Sequence, residues 1–215
     1  MHTWIKICGT TSLEDALSSI EAGADALGFI FAPSKRRVST EQAQRIISEL
    51  PRDVERIGVF LDAGAMGIRQ VLSEVDLTGI QMHGEADCPA EVYSNLPADR
   101  RDRLRKIKTV IVQEAFENRF DMYAAVGGVV DTWLFDSGAG SGRSFNWHET
   151  RKKLGDRQGR FIVAGGLTPE NVGDAMRSFK PWGVDVVTGV ESGPGRKDPE
   201  KLKAFVAAVR KAEQI

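Results

Sequence analysis

Two reactive side chains stand at the ends of short β-rich runs: Cys8, after Trp4-Ile5-Lys6-Ile7, and Asp136, after Trp133-Leu134-Phe135. Lys6 lies two residues before Cys8 and so shares its face of an extended strand. If that face is interior, the ammonium favours the thiolate, the reactive form of cysteine. The alternative for Cys8 is a small buried hydrophobe. A carboxylate at position 136, partly dry, holds a raised pKa and donates a proton, or else it caps the following loop. Cys88 reads as structural.

Other segments suit anions. Gly165-Gly166-Leu167-Thr168-Pro169 and Thr188-Gly189-Val190-Glu191-Ser192-Gly193 are glycine-bearing turns after two late strands. Bare backbone N–H groups at a helix start bind phosphate, and plain turn chemistry is the alternative. Ser137-Gly138-Ala139-Gly140-Ser141-Gly142-Arg143 is glycine-rich but is no P-loop, since its spacing and final lysine are missing; it reads as a flexible, closing loop. Gln81 and His83 share one face of a strand, where a histidine is either a rim residue or a base. Arg36, in Ser34-Lys35-Arg36-Arg37, offers a bidentate fork for a carboxylate or is exposed charge. Asp185 is either an ion-pair partner for Lys6 or a ligand contact.

What must position these groups is a regular alternation. Strands are expected at Thr3–Cys8, Asp25–Phe31, Arg56–Leu61, Gly79–His83, Leu104–Val112, Val129–Asp136, Arg160–Ala164 and Val184–Val187. Amphipathic runs separate them: Leu13–Ala22, capped by Ser12 and stopped by Gly23; Thr40–Leu50; Gly67–Val75; a segment opening near Pro89; Glu114–Ala125; Trp147–Leu154; a helix with Pro169 at its first position; and Pro199–Ala212. Near-continuous apolar strands separated by helices imply parallel strands covered on the outside. Eight units in 215 residues, about 27 each, close into a (β/α)8 TIM barrel over residues 1–215, with chemistry at the strand C-termini. An open doubly wound sheet would show a dinucleotide fingerprint early, and the first turn is Gly9-Thr10-Thr11-Ser12.

Composition narrows the partners. A net charge of −1 gives no reason to expect nucleic acid or an anionic membrane. The basic run Asp99–Lys108 is expected to be a solvated loop and strand entrance. Two cysteines without metal or redox spacing fit a reducing cytoplasm. Neither a signal peptide nor an apolar run near the roughly 20 residues of a membrane helix is visible.

Taken in order, these blocks resemble phosphoribosylanthranilate isomerase of tryptophan biosynthesis over nearly the whole chain. Lys6-Ile7-Cys8-Gly9 with Glu14-Asp15-Ala16, Gln81-Met82-His83-Gly84, Asp136-Ser137 with Gly140 to Trp147, Ala164-Gly165-Gly166-Leu167 with Pro169-Glu170-Asn171-Val172, and Gly189-Val190-Glu191-Ser192 with Lys197-Asp198 carry the resemblance. It implies a cofactor-free, metal-free Amadori rearrangement of N-(5-phosphoribosyl)anthranilate by a monomer or homodimer. Cys8 would be the general base and Asp136 the general acid. Arg36, or alternatively Arg37, would hold the anthranilate carboxylate. Gln81, His83 and Asp185 would line the pocket, and Gly165, Gly166, Thr188 and Gly189 would bind phosphate. The chain departs from the family pattern at Arg143 and Asn146, where Lys and Asp are common, at Thr188, where Ser is usual, and in a short Arg36 loop. A related histidine-pathway barrel isomerase would be expected to use paired carboxylates at strands one and five. A silent phosphate-binding barrel would need neither Cys8 nor Asp136.

Overall fold

The computed structural model describes residues 2–84, 89–125, 129–138 and 144–214. Its elements run β1 (Trp4–Cys8), α1 (Leu13–Ala22), β2 (Ala26–Ile30), α2 (Thr40–Ser48), β3 (Glu55–Phe60), α3 (Gly64–Glu74), β4 (Gly79–Met82), α4 (Pro89–Ser94), α5 (Ala98–Arg101), β5 (Arg105–Ile111), α6 (Phe116–Ala124), β6 (Thr132–Asp136), α7 (Trp147–Leu154), β7 (Arg160–Val163), α8 (Val172–Phe179), β8 (Gly183–Val186), β9 (Glu191–Gly193), β10 (Arg196–Lys197) and α9 (Pro199–Ala212). Strands β1 to β8 pair in parallel in chain order, and β8 closes on β1. The expected TIM barrel is therefore the fold.

Alternation along each strand divides the core in two. Trp4, Ala26, Ile57, Ile107, Leu134 and Ile162 fill the barrel interior. Ile5, Ile7, Leu27, Phe29 and Phe135 point outward beneath the helices. In α8 the buried residues Val172, Ala175, Met176 and Phe179 recur at helical spacing, so one stripe faces the sheet. Phe179 meets Phe135 and Phe161 at centroid distances of 5.5 and 6.4 Å. Full burial of each such ring contributes about 1.5–3 kcal/mol, which anchors the strand end carrying Asp136. At the N-terminal face Trp4 stacks on Trp182 at 5.2 Å. Arg105 covers both rings and is held bidentately by Glu55 at 2.5 and 2.6 Å. That end of the barrel is closed.

Local signals hold at several boundaries. Ser12 Oγ accepts the Asp15 N–H, and Gly23 ends α1 at φ 105°. Others need correction. The segment after β4 is two short helices, because Pro97 precedes α5 and interrupts the chain. Pro169 lies in the turn before α8, whose cap is Asn171. The run Asp99–Lys108 is only partly solvated: Asp102 and Arg103 are exposed, but Lys108 is fully buried. Its stem lies beneath the helices, its ammonium stands 4.5 Å from the Tyr123 ring, and it donates to the Gly84 carbonyl. A short antiparallel hairpin, β9–β10, also follows β8 where no strand was expected.

Candidate active site

The middle of the barrel interior is polar. Lys6 Nζ donates to Gln81 Oε1 at 2.9 Å and Asp185 Oδ1 at 3.0 Å, and Gln81 Nε2 donates to Thr109 Oγ1 at 3.2 Å. Four strands thus share one buried network, and the open choice for Asp185 resolves as a Lys6 partner that also lines the cavity. Burial opposes the Lys6 charge, but Asp185 and Cys8 outweigh it and hold the ammonium above the ordinary lysine range. Burial pushes the Asp185 carboxyl up, with Lys6 pulling against it.

Cys8 sits on this floor at the end of β1, with its side chain turned inward and buried. Lys6 favours the thiolate as expected, but the net effect at Cys8 runs the other way. Burial raises the thiol pKa, and the opposing pull of Lys6 and Lys197 does not overcome it. The chain turns sharply above Cys8, where Gly9 has φ 76° and the Gly9 and Thr10 N–H groups both donate to the Gly28 carbonyl.

Asp136 ends β6, and its Oδ1 accepts the Gly138 N–H at 2.7 Å. His83 follows β4, its backbone N–H donating to the Phe60 carbonyl at 2.8 Å. Its Nε2 is buried with no hydrogen-bond partner among the described residues, and burial lowers its pKa despite nearby Asp136. Burial thus favours the neutral imidazole, and His83 lines the cavity described below.

The two glycine turns meet at the mouth. Gly165 and Gly166 have φ of 76° and 65°. Asn171 braces this turn: its Oδ1 accepts from Thr168 N–H and its Nδ2 donates to the Gly166 carbonyl, both at 2.8 Å. Thr188–Val190 forms one 3-10 turn. A Cβ on Gly189 would stand 2.0 Å from the Leu167 carbonyl oxygen, so only glycine allows the loops to touch. Bare backbone at the two turns is the arrangement that admits an anion.

Arg36 reaches the same mouth, but its guanidinium is already engaged: Nε and Nη2 donate to Glu191 Oε1 and Oε2 at 2.8 and 2.6 Å. Burial raises the Glu191 carboxyl, yet Arg36 and Lys197 hold it below the ordinary glutamate range. Glu191 and Lys197 stood in the family-like motifs without a role assigned to them. Their part is a long-range one, with Arg36 and Glu191 lying 155 residues apart.

A cavity of about 220 Å³ unites these groups. Cys8, Arg36, Gln81, His83, Asp136, Gly165, Gly166, Asp185 and Thr188 all line it; Gly189 lies one residue further along the 3-10 turn. Arg37 is absent from the lining. Cys88 and residues 139–143, including Arg143, lie outside the described residues. Among the described residues no group of three or more His, Cys, Asp or Glu could hold a metal, and no helix is long and apolar enough to cross a membrane.

Fold and site together define a TIM barrel of the enzyme class, with a thiol, a carboxylate and two glycine turns converging at the strand C-termini. The model of the N-(5'phosphoribosyl)anthranilate (PRA) isomerase family matches residues 5–208. The chain belongs to this family. It is 41% identical to the N-(5'-phosphoribosyl)anthranilate isomerase of Citrifermentans bemidjiense over 214 residues, covering 99% of this chain and all of that one. The Thermotoga maritima enzyme is 42% identical, over 94% of this chain and 96% of its own. Among solved structures, the phosphoribosyl anthranilate isomerase from Thermus thermophilus superposes with a TM-score of 0.85 at 33% identity, covering 97% of this chain and 99% of that one.

Proposed function

We propose that the barrel isomerises N-(5-phosphoribosyl)anthranilate to 1-(2-carboxyphenylamino)-1-deoxyribulose 5-phosphate in tryptophan biosynthesis, using Cys8 as base and Asp136 as acid. The observation that carries this reading is the convergence of Cys8 and Asp136, from non-adjacent strands, on one cavity that also holds the glycine turns and Arg36. The substrate has matching parts: a phosphate, a carboxylate, and a sugar carbon skeleton between them.

Asp136 gives its proton to the ribose ring oxygen, the C1–O bond breaks, and C1 becomes an iminium with the anthranilate nitrogen. That positive charge acidifies the C2 proton. It also favours a thiolate at Cys8, offsetting the burial that keeps the thiol protonated in the free protein. Cys8 removes the C2 proton and the electron pair moves into C1=C2, neutralising the nitrogen. The resulting enolamine loses its C2 hydroxyl proton and gains one at C1, giving the aminoketone. Only protons move, so the reaction requires neither a redox cofactor nor a metal. Acid and base need opposite environments, and here they come from strands on different sides of the barrel.

Gly165, Gly166, Thr188 and Gly189 receive the phosphate through backbone N–H groups. The remaining edge of Arg36 takes the carboxylate, in preference to Arg37. His83 Nε2 and the Gln81–Lys6–Asp185 floor face the sugar. Since the chemistry needs a reduced Cys8, a reducing cytoplasm suits it.

Proton NMR of the purified protein with phosphoribosylanthranilate tests the reading. Loss of the anomeric CH and formation of a CH₂ next to nitrogen are expected, at unchanged mass. An unchanged spectrum with bound substrate would instead indicate a binding barrel.

A further inference from the structure

The hairpin β9–β10 carries a charged cluster that the proton transfers do not use. An arginine has five N–H donors in two forks. Glu191 occupies the side fork of Arg36, formed by Nε and one Nη2 hydrogen. The end fork, one hydrogen each on Nη1 and Nη2, has the same shape and belongs to a residue lining the cavity. The Arg36 stem is held as well: a Cβ on Gly9 would lie 2.7 Å from Arg36 Cδ, so the stem packs on bare backbone.

Glu191 is itself fixed. Its side chain is 4% exposed. Lys197 Nζ donates to Glu191 Oε1 at 3.2 Å and to the Cys8 carbonyl at 2.6 Å, and Gly195 N–H donates to the same Oε1 at 3.2 Å. The Lys197 backbone N–H donates in turn to Asp15 Oδ1 at 3.0 Å. The hairpin is thus tied to α1 and to the base-bearing end of β1. Arg36, Lys197 and Glu191 together carry one net positive charge, enough for one carboxylate. Without Glu191 two positive charges would face each other, and the Arg36 head would be free to turn.

We propose that Glu191 is a positioning residue that sets selectivity for a carboxylate-bearing substrate: by taking one fork of Arg36 it fixes the other as a preformed receptor. This rests on Arg36 binding the substrate carboxylate, as read above. Removing Glu191 lowers the preference for a carboxylate and leaves recognition of the phosphate and sugar intact.

Calorimetry with two compounds tests this: reduced 1-(2-carboxyphenylamino)-1-deoxyribulose 5-phosphate, and the same molecule lacking the ring carboxylate. The ratio of their affinities isolates the carboxylate contribution. A charge-assisted pair predicts a ratio of roughly tenfold or more in the unmodified protein. Arg36→Met brings the ratio to about one, the value expected when no carboxylate contact remains. Glu191→Gln lowers the ratio severalfold with unchanged affinity for the carboxylate-free compound, and the double variant matches Arg36→Met. Should Glu191→Gln fail to fold, Glu191→Asp keeps the charge, shifts the fork by one methylene, and lowers the ratio in the same direction. A wild-type ratio in Arg36→Met would overturn the Arg36 reading and this proposal with it. A wild-type ratio in Glu191→Gln or Glu191→Asp, while Arg36→Met loses it, would overturn the positioning role alone. Equal weakening of both compounds in the Glu191 variants would also overturn it, leaving Glu191 structural.

Discussion

The sulfur of Cys8 occupies space that Gly28, its partner on β2, leaves open. A Cβ at Gly28 would stand 2.5 Å from Cys8 Sγ and 3.0 Å from Lys6 Cε. The inward face of β2 is bare where the thiol and the Lys6 stem need room.

Gly28→Ala must therefore displace the thiol or the lysine beneath it. Overpacking of this kind costs about 1–3 kcal/mol of stability. Displacement of a base from its near-attack position costs roughly a hundredfold in rate. We expect a folded protein with lowered Tm, nearly unchanged KM and a strongly reduced kcat. Thermal unfolding and steady-state kinetics measure both, and full activity would show that the sulfur position is not critical.

The Cys8 thiol titrates above the ordinary thiol range, because burial and Asp185 outweigh Lys6 and Lys197. The proposed mechanism needs the thiolate together with a protonated acid, so titration of the thiol itself, and not kcat/KM, carries the prediction. Stability follows the same titration. With the folded pKa above the unfolded one, the contribution of the neutral thiol is complete below the unfolded pKa and is lost as pH rises through the folded pKa. Ultraviolet thiolate absorbance of Cys88→Ser, set against Cys8→Ala/Cys88→Ser, measures the titration directly. A thiolate already formed at neutral pH in the free protein would contradict this.

Asp136→Asn keeps the hydrogen-bonding shape beside Gly138 but cannot release a proton to the ring oxygen. Loss of a general acid predicts a fall in kcat of at least about a hundredfold. Binding of the reduced product analogue should persist, since the phosphate turns and Arg36 are untouched. Calorimetry beside stopped-flow kinetics separates the two effects, and retained turnover would mean that another group protonates the sugar.

Much of this was legible because strand ends and turns are local features. Cys8 and Asp136 each end an apolar run, and Gly165 and Gly166 announce a turn with positive φ. Parallel-strand alternation then puts Lys6 beneath Cys8. Contacts between distant segments were not legible. The engagement of Arg36 by Glu191 depends on barrel closure bringing the loop after β2 beside the hairpin after β8. Lys108 reads as one charge in a basic run, yet the pleat turns it under the helices. The net shift at Cys8 is a balance of burial and Asp185 against two ammonium groups, and spacing reveals only one of those ammonium groups, Lys6. Pro169 misled for a simpler reason: its fixed φ suits a turn as well as a first helical position.

In the proposed mechanism Cys8 bears the step that distinguishes isomerisation from mere binding, removal of the C2 proton. The most direct measurement is the rate at which Cys8→Ala converts N-(5-phosphoribosyl)anthranilate, followed by proton NMR as growth of the CH₂ signal next to nitrogen. The variant should fold and bind the reduced product analogue as the unmodified protein does, while kcat falls by at least about a hundredfold, the scale of a lost general base. Near-normal growth of that signal would remove Cys8 from the chemistry and contradict the mechanism.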